Sequence, residues 1–348
     1  SNNFIKTFNN NHIISTNEGS AVALAIGYHL GTNKIPMVYM QNSGLGNVIN
    51  PITSLADKKV YGVPILLVIG WRGEILENGI QLKDEPQHKK QGLITIDQIK
   101  LLGIPFKVID QSSSNLEGTL TRLLNEAKEK STPVALVVRK NTFSNYFSST
   151  NKKYQKGTLL REHIIEEIVN NSGTIPIITT TGMASRELYE IRDKKKNSHE
   201  KDFLTVGGMG HASQIASGIA LTKPNKKVIC IDGDGALLMH TGALAISGRI
   251  NNLIHIVINN GVHDSVGGQP TMGQSLCLSE IANNFKYASS NTVSTLEDLR
   301  KIFQKALKSK NNTFIEVLSA PGSRKDLGRP LTTPEENKNS FLLSNLHD

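Results

Sequence analysis

The stretch Lys227-Val-Ile-Cys-Ile-Asp232-Gly233-Asp234-Gly235-Ala236-Leu-Leu238, followed by His255-Ile-Val-Ile-Asn259-Asn260-Gly261, decides how this chain folds. The first apolar run is strand-length and ends at Asp232; two glycines then let the backbone approach a ligand, and a helix starts just after them. The second run ends on an asparagine pair. One helix plus one returning strand separates Asp234 from Asn260, so both reach the same edge of a parallel sheet, outside the C-terminal strand ends where such sheets bind ligands. There the backbone N–H groups of a tight turn suit phosphate oxygens. Asp234 and the amide oxygen of Asn260 offer what a hard divalent cation needs. Alone, Gly-Asp-Gly is an ordinary tight turn and Asn-Asn-Gly another. The pair, at this spacing and after two apolar strands, points to a metal-bound diphosphate.

Outward from this corner, short β-branched runs alternate with amphipathic segments along the whole chain, the mark of parallel sheets wrapped by helices. Strands are expected at residues 35–40, 65–69, 106–109 and 134–138, then at 177–180, 227–231, 254–259 and 313–318. Helices are expected at 19–30, 116–130, 161–169, 213–221 and 296–308. From about Asn141 to Gly157 the composition turns to Ser, Asn, Thr and Lys, which reads as a linker. The chain is therefore divided into domains at 1–145 and 158–348, joined over 146–157, each long enough for its own core. The stretch after about Pro321 is polar and is expected to wrap the surface.

The 39 Lys and Arg against 30 Asp and Glu give a formal charge of +9, which would suit a nucleic-acid binder. The charges are scattered over loops, however, and no recognition motif accompanies them, so no nucleic-acid partner is expected. The same field suits a small polyanionic substrate. Apolar runs are too short to span a membrane, and two distant cysteines offer neither a disulfide framework nor a CxxC metal pattern; a cytoplasmic setting is expected.

The Gly-Asp-Gly and Asn-Asn pair resembles the fingerprint of the thiamine-diphosphate enzymes. The resemblance implies two doubly wound α/β domains, one for the pyrimidine and one for the diphosphate of thiamine diphosphate. It implies that Asp234, the Asn260 side chain and the Val262 carbonyl hold Mg2+, with Gly182, Gly233, Gly235 and Ala236 beside the cofactor. Val206-Gly-Gly208-Met209-Gly210-His211 resembles the family's loop next to the cofactor, where Met209 would bend the two rings against each other; Gly208 and His211 go with it. Thiamine chemistry also needs a carboxyl group at the pyrimidine ring nitrogen. Glu18, at the start of an Ala- and Gly-rich helix, is the candidate, in a packed and partly desolvated place. A glutamate in a first helical turn is more commonly a capping or dipole-complementing residue. What favours the catalytic reading is Gln41-Asn42-Ser43-Gly44-Leu45-Gly46-Asn47, which resembles the loop that follows the activating glutamate; Asn42 and Gly44 are placed at the cofactor on that basis.

Further segments narrow the resemblance to the 2-oxoacid decarboxylases that act on phosphonopyruvate, with those acting on sulfopyruvate as near relatives: Trp71-Arg72-Gly-Glu74, Asp84-Glu-Pro-Gln-His88, Met183-Ala-Ser-Arg186 and Val262-His263-Asp264-Ser-Val-Gly267-Gly268-Gln269-Pro270. A substrate with a carboxylate and a phosphonate wants cations and N–H donors, for which Arg72, Arg186, Gly267, Gly268 and Gln269 are candidates. His88, His263 and Asp264 are candidates for the proton donor after decarboxylation. The resemblance implies a homodimer or homotetramer with active sites at subunit interfaces. Two departures stand out: Glu18 follows only 17 residues, fewer than the strand and helix that relatives place before it, so an N-terminal piece is expected to be missing; and Asp264 stands where relatives carry glutamate. Sulfopyruvate decarboxylation is the rival activity, and a catalytically silent cofactor-binding scaffold the rival from another class.

Overall fold

A computed structural model describes residues 12–144 and 155–346. The chain divides into two compact units, Ser1–Asn151 and Lys152–Asp348. Most of the linker expected over 146–157 lies outside the described residues. Among the described residues no helix is long and apolar enough to cross a membrane.

The first unit runs α1 (Glu18–Thr32), β1 (Met37–Gln41), α2 (Leu45–Pro51), β2 (Leu66–Gly70), α3 (Pro86–Leu101), β3 (Phe106–Ile109), α4 (Leu116–Lys130) and β4 (Val134–Val138). Its four strands are parallel in the order β1-β2-β4-β3. The inner strands, Leu-Leu-Val-Ile-Gly and Val-Ala-Leu-Val-Val, are apolar from end to end because helices cover both faces of the sheet. Helix α1 starts where the Asn17 side chain accepts the Ser20 N–H at 2.9 Å, and it stops at Asn33 in the left-handed region, φ 56°. Val22 and Ile26 on its inner face pack with Leu45, Val48, Ile65 and Leu67. That packing seats Glu18, the first residue of α1, against the loop that follows β1.

The second unit runs α5 (Arg161–Ser172), β5 (Ile177–Thr179), α6 (Met183–Lys194), β6 (Asp202–Leu204), α7 (Ala212–Thr222), β7 (Val228–Gly233), α8 (Asp234–Met239), α9 (Leu244–Ser247), β8 (Leu253–Asn259), β9 (Val262–His263), β10 (Gln269–Pro270), α10 (Leu278–Asn284), β11 (Ser289–Val293), α11 (Leu296–Lys308), β12 (Thr313–Leu318) and α12 (Pro334–Leu346). Six strands form a parallel sheet in the order β11-β12-β8-β7-β5-β6, and β9 and β10 form a small antiparallel hairpin. The central strand β8 is buried at every position. From β5 the chain goes out to β6 at one edge and returns on the other side of β5 as β7. The crevice between the C-terminal ends of β5 and β7 is thus the topological switch point, the usual ligand position in an open α/β sheet.

The tail corrects one expectation. It does more than wrap the surface: α12 covers the open edge at β6. The Asn337 side chain accepts from Leu204 N–H at 3.0 Å and donates to the Asp202 carbonyl at 2.8 Å, supplying the partners an edge strand lacks. Phe341 stacks edge-on against Phe203, ring centroids 5.7 Å apart.

Candidate active site

Asp234 opens α8 directly after β7 and is 2% exposed. Its carboxylate accepts the Thr271 hydroxyl, and the nearby backbone N–H groups of Gly235, Asp234 and Asn260 favour its charged form. Burial pushes its carboxyl up to about 6, against those hydrogen bonds. A side chain at Gly235 is sterically excluded, since its Cβ would sit 2.7 Å from the His263 ring and 3.2 Å from Thr271 Cγ2. At Gly273 a Cβ would meet the Asp234 carboxylate at 2.5 Å. The turn is therefore closed over by the segment 261–274, which Thr271 N–H ties back to the Gly261 carbonyl at 2.9 Å.

Asn260 is 6% exposed. Its Oδ1 accepts the Val262 N–H at 3.0 Å and its Nδ2 donates to Asp264 at 2.7 Å. Asp234, Asn260 and Val262 thus come together at the C-terminal ends of β7 and β8, next to the switch point. A buried carboxylate raised by desolvation and an amide oxygen beside it form an oxygen-rich donor set that fits a hard divalent cation. The β9–β10 hairpin lies next to it, pairing His263 with Gln269, and Gly267 and Gly268 form its turn with φ of 113° and 73°, a backbone that favours glycine. The Gly268 N–H closes this turn on the His263 carbonyl at 3.0 Å. Burial pushes the His263 imidazole down from its ordinary value, so it is neutral at neutral pH.

Around the switch point, Gly182 ends the turn after β5 at φ 94°, its open side 3.6 Å from the Ser265 side chain. The Thr181 hydroxyl ties that turn to the Val206 carbonyl at 2.8 Å, and so to the loop carrying Gly208, half-buried Met209 and His211. His211 caps α7 and bonds the Gly208 carbonyl through Nδ1 at 3.0 Å. Ala236 is buried within α8, and Arg186 lies half-buried on α6.

Asp264 is held by three donors. It accepts from Arg161 Nη1 at 2.8 Å, from Asn260 Nδ2 at 2.7 Å and from Gly322 N–H at 3.0 Å. A carboxylate ringed by donors and paired with a guanidinium is an acceptor, unsuited to giving up a proton. Arg161, Glu187 and Thr271 were not singled out from the sequence. The cue for Arg161 was a cation in a first helical turn, where the helix dipole disfavours it.

In the first unit, Glu18 is half-buried and its Oε2 accepts from Asn47 Nδ2 at 2.7 Å. Gly44 lies flat against it: a Cβ there would fall 2.5 Å from Glu18 Cγ and 2.7 Å from Oε1. Asn42 is fully buried and spends its amide on Thr95, at 2.8 Å, and on both backbone groups of Arg72, at 2.9 and 3.1 Å. It stitches the loop to its neighbours. Arg72 is likewise engaged, its Nε on Asp84 Oδ2 at 2.8 Å with Nη2 on the other oxygen, and this pairing holds Asp84 well below the usual carboxylate range. His88, buried on α3, is pushed down by burial and by the Arg72 charge, and its Nδ1 has no hydrogen-bond partner.

Two family models match the chain: "Thiamine pyrophosphate enzyme, N-terminal TPP binding domain" over residues 2–101 and "Thiamine pyrophosphate enzyme, C-terminal TPP binding domain" over residues 178–317. The chain is 31% identical to a phosphonopyruvate decarboxylase of Streptomyces viridochromogenes, over 93% of this chain and 83% of that one. It is 30% identical to a phosphonopyruvate decarboxylase of Streptomyces hygroscopicus, over 93% and 82%. A sulfopyruvate decarboxylase of Methanosarcina acetivorans is 28% identical over 93% and 85%.

Proposed function

The chain belongs to the thiamine pyrophosphate enzymes, and we propose that it is a carboxy-lyase converting 3-phosphonopyruvate to phosphonoacetaldehyde and carbon dioxide with thiamine diphosphate and Mg2+. One observation carries the reading. The buried carboxylate of Asp234 sits with Asn260 next to the switch point, beneath a glycine-turned hairpin, in a chain similar over nearly its whole length to two phosphonopyruvate decarboxylases.

In this reading Asp234, Asn260 Oδ1 and the Val262 carbonyl hold the metal, and the turn Gly233–Ala236 with Gly182 holds the diphosphate. Met209 and its loop support the rings. When bound, thiamine diphosphate supplies a nucleophilic carbon for the keto group and a sink for the electron pair released as carbon dioxide leaves. Glu18 exchanges a proton through Oε1, the oxygen that Asn47 leaves open. Neutral His263 and the Gly267 amide orient the substrate over Gly235, with Arg186 and Gln269 as further polar groups. Closure of the segment 261–274 excludes water, which favours loss of the charged carboxylate. The net positive charge steers a multiply anionic substrate to the site.

The active form in this reading is a homodimer or homotetramer with active sites at subunit interfaces, working in the cytoplasm, a setting that suits two free cysteines. The test is carbon dioxide release, with thiamine diphosphate and Mg2+ added, from phosphonopyruvate, sulfopyruvate and pyruvate. A kcat/KM at least tenfold higher for phosphonopyruvate supports the proposal. Preference for sulfopyruvate moves the chain to the sulfonate branch, and turnover of none of the three makes it a binding scaffold.

A further inference from the structure

We propose that Arg161 is a positioning residue for the metal corner: by fixing Asp264 it orients the Asn260 amide so that its oxygen, and not its NH2 group, faces the cation. This rests on the metal site proposed above.

Arg161 opens α5 and is 7% exposed, a costly place for a cation because both burial and the helix dipole oppose it. Its guanidinium is correspondingly well partnered. Nε and Nη2 fork onto Glu187 of α6 at 2.8 and 3.1 Å, Nη1 donates to Asp264 Oδ2 at 2.8 Å, and Nη2 also reaches the Gly322 carbonyl at 3.2 Å. One side chain thereby joins α5, α6, the β9–β10 hairpin and the loop after β12.

The consequence falls on Asn260. The two ends of an amide have nearly the same shape, so neighbours decide which end points where. Asp264 paired with Arg161 only accepts, so it draws the Asn260 NH2 to itself at 2.7 Å. The oxygen is left on the opposite end, where the Val262 N–H at 3.0 Å acts in the same sense. An NH2 group cannot ligate a cation; an oxygen can. Arg161, through Asp264, therefore selects the ligand atom without touching the metal, as partners behind metal ligands generally do.

Mn2+ binding to the thiamine-diphosphate-loaded chain, read by electron paramagnetic resonance of the free ion, tests this without turnover. Circular dichroism melting reports folding. Relative to wild type, Asp264→Ala and Arg161→Met are expected to raise the Mn2+ Kd about 10- to 100-fold, and the double variant to bind no more weakly than the worse single one. Glu187→Gln, which leaves the Arg161–Asp264–Asn260 chain in place, is expected within about threefold of wild type. If Arg161→Met does not fold because Glu187 is stranded, Asp264→Ala and Arg161→Lys decide: the lysine keeps the charge beside Asp264 and is expected between wild type and Asp264→Ala. A folded Asp264→Ala that binds Mn2+ like wild type overturns the inference alone, as do effects that simply add in a folded double variant. Wild type that fails to bind Mn2+ beside thiamine diphosphate overturns the parent reading, and this one with it.

Discussion

Gly44→Ala separates catalysis from stability at Glu18. The backbone of Gly44 is right-handed, φ −78° and ψ −10°, so alanine meets no strain there. On the chain-entropy argument alone the change is neutral or stabilises by up to about 1 kcal/mol. The added Cβ, however, falls 2.5 Å from Glu18 Cγ and 2.7 Å from both Cδ and Oε1. Ordinary carbon contacts lie near 3.5 Å, so the Glu18 side chain must move by about 1 Å. The move costs the Asn47 hydrogen bond, worth about 1 kcal/mol net at a half-exposed site, which roughly cancels the gain. A 1 Å displacement of a catalytic group lowers rates by about 100-fold. Gly44→Ala is therefore expected to melt within about 3 °C of wild type, for a ΔΔG under 1 kcal/mol, and to lose about 99% of its kcat in a carbon dioxide release assay. A folded variant retaining more than a third of wild-type kcat would show that Glu18 is not the activating carboxylate.

Glu18→Gln is expected to abolish decarboxylation while leaving melting temperature and Mn2+ binding unchanged; retained turnover removes the glutamate from the mechanism. Asp234 has its carboxyl raised from 3.8 to about 6 by burial, so the folded apo protein holds that proton more tightly than the unfolded chain. Its contribution to stability is present below about pH 4 and is lost as pH rises through about 6, roughly 3 kcal/mol at one end of the window relative to the other. Because the metal needs the ionised form, Mg2+ affinity measured by calorimetry is expected to rise about tenfold per pH unit up to about pH 6 and then level; a flat profile from pH 5 to 7.5 contradicts the ligand assignment. Asn337→Ala removes both hydrogen bonds that close the β6 edge and is expected to cost about 2 kcal/mol in urea unfolding, with a loss under 0.5 kcal/mol showing that α12 does not hold that edge.

Much of the fold could be read from the sequence because its central strands are buried on both faces and must be apolar throughout, as in Leu253–Asn259 and Val134–Val138. The edge strands of the second unit could not. Asp202–Leu204 and Ser289–Val293 are short or polar, held by a buried Arg192–Asp202 pair and by parallel pairing to β12 respectively. Helix α12 was equally hidden, since Phe341 packs into the core while Leu342 and Leu343 beside it stay exposed, so no apolar face marks the helix. At the site, the turn 233–235 and Asn260 stood out because close backbone approach demands glycine and a hard cation would demand oxygen. Asn42, Arg72 and Asp264 have side chains with partners in other segments of the chain, 103 positions away in the case of Arg161 and Asp264. Residue type told that these groups are polar, but only packing told which atom each one faces.

The central claim is that one carboxylate activates a cofactor whose diphosphate is clamped by a metal at Asp234. A crystal structure of the chain with thiamine diphosphate and Mn2+, with data collected at the manganese absorption edge, tests it most directly. The account expects an anomalous peak bounded by Asp234, Asn260 Oδ1 and the Val262 carbonyl, with Glu18 at the pyrimidine nitrogen. A peak elsewhere, or a pyrimidine with no Glu18 beside it, would contradict it.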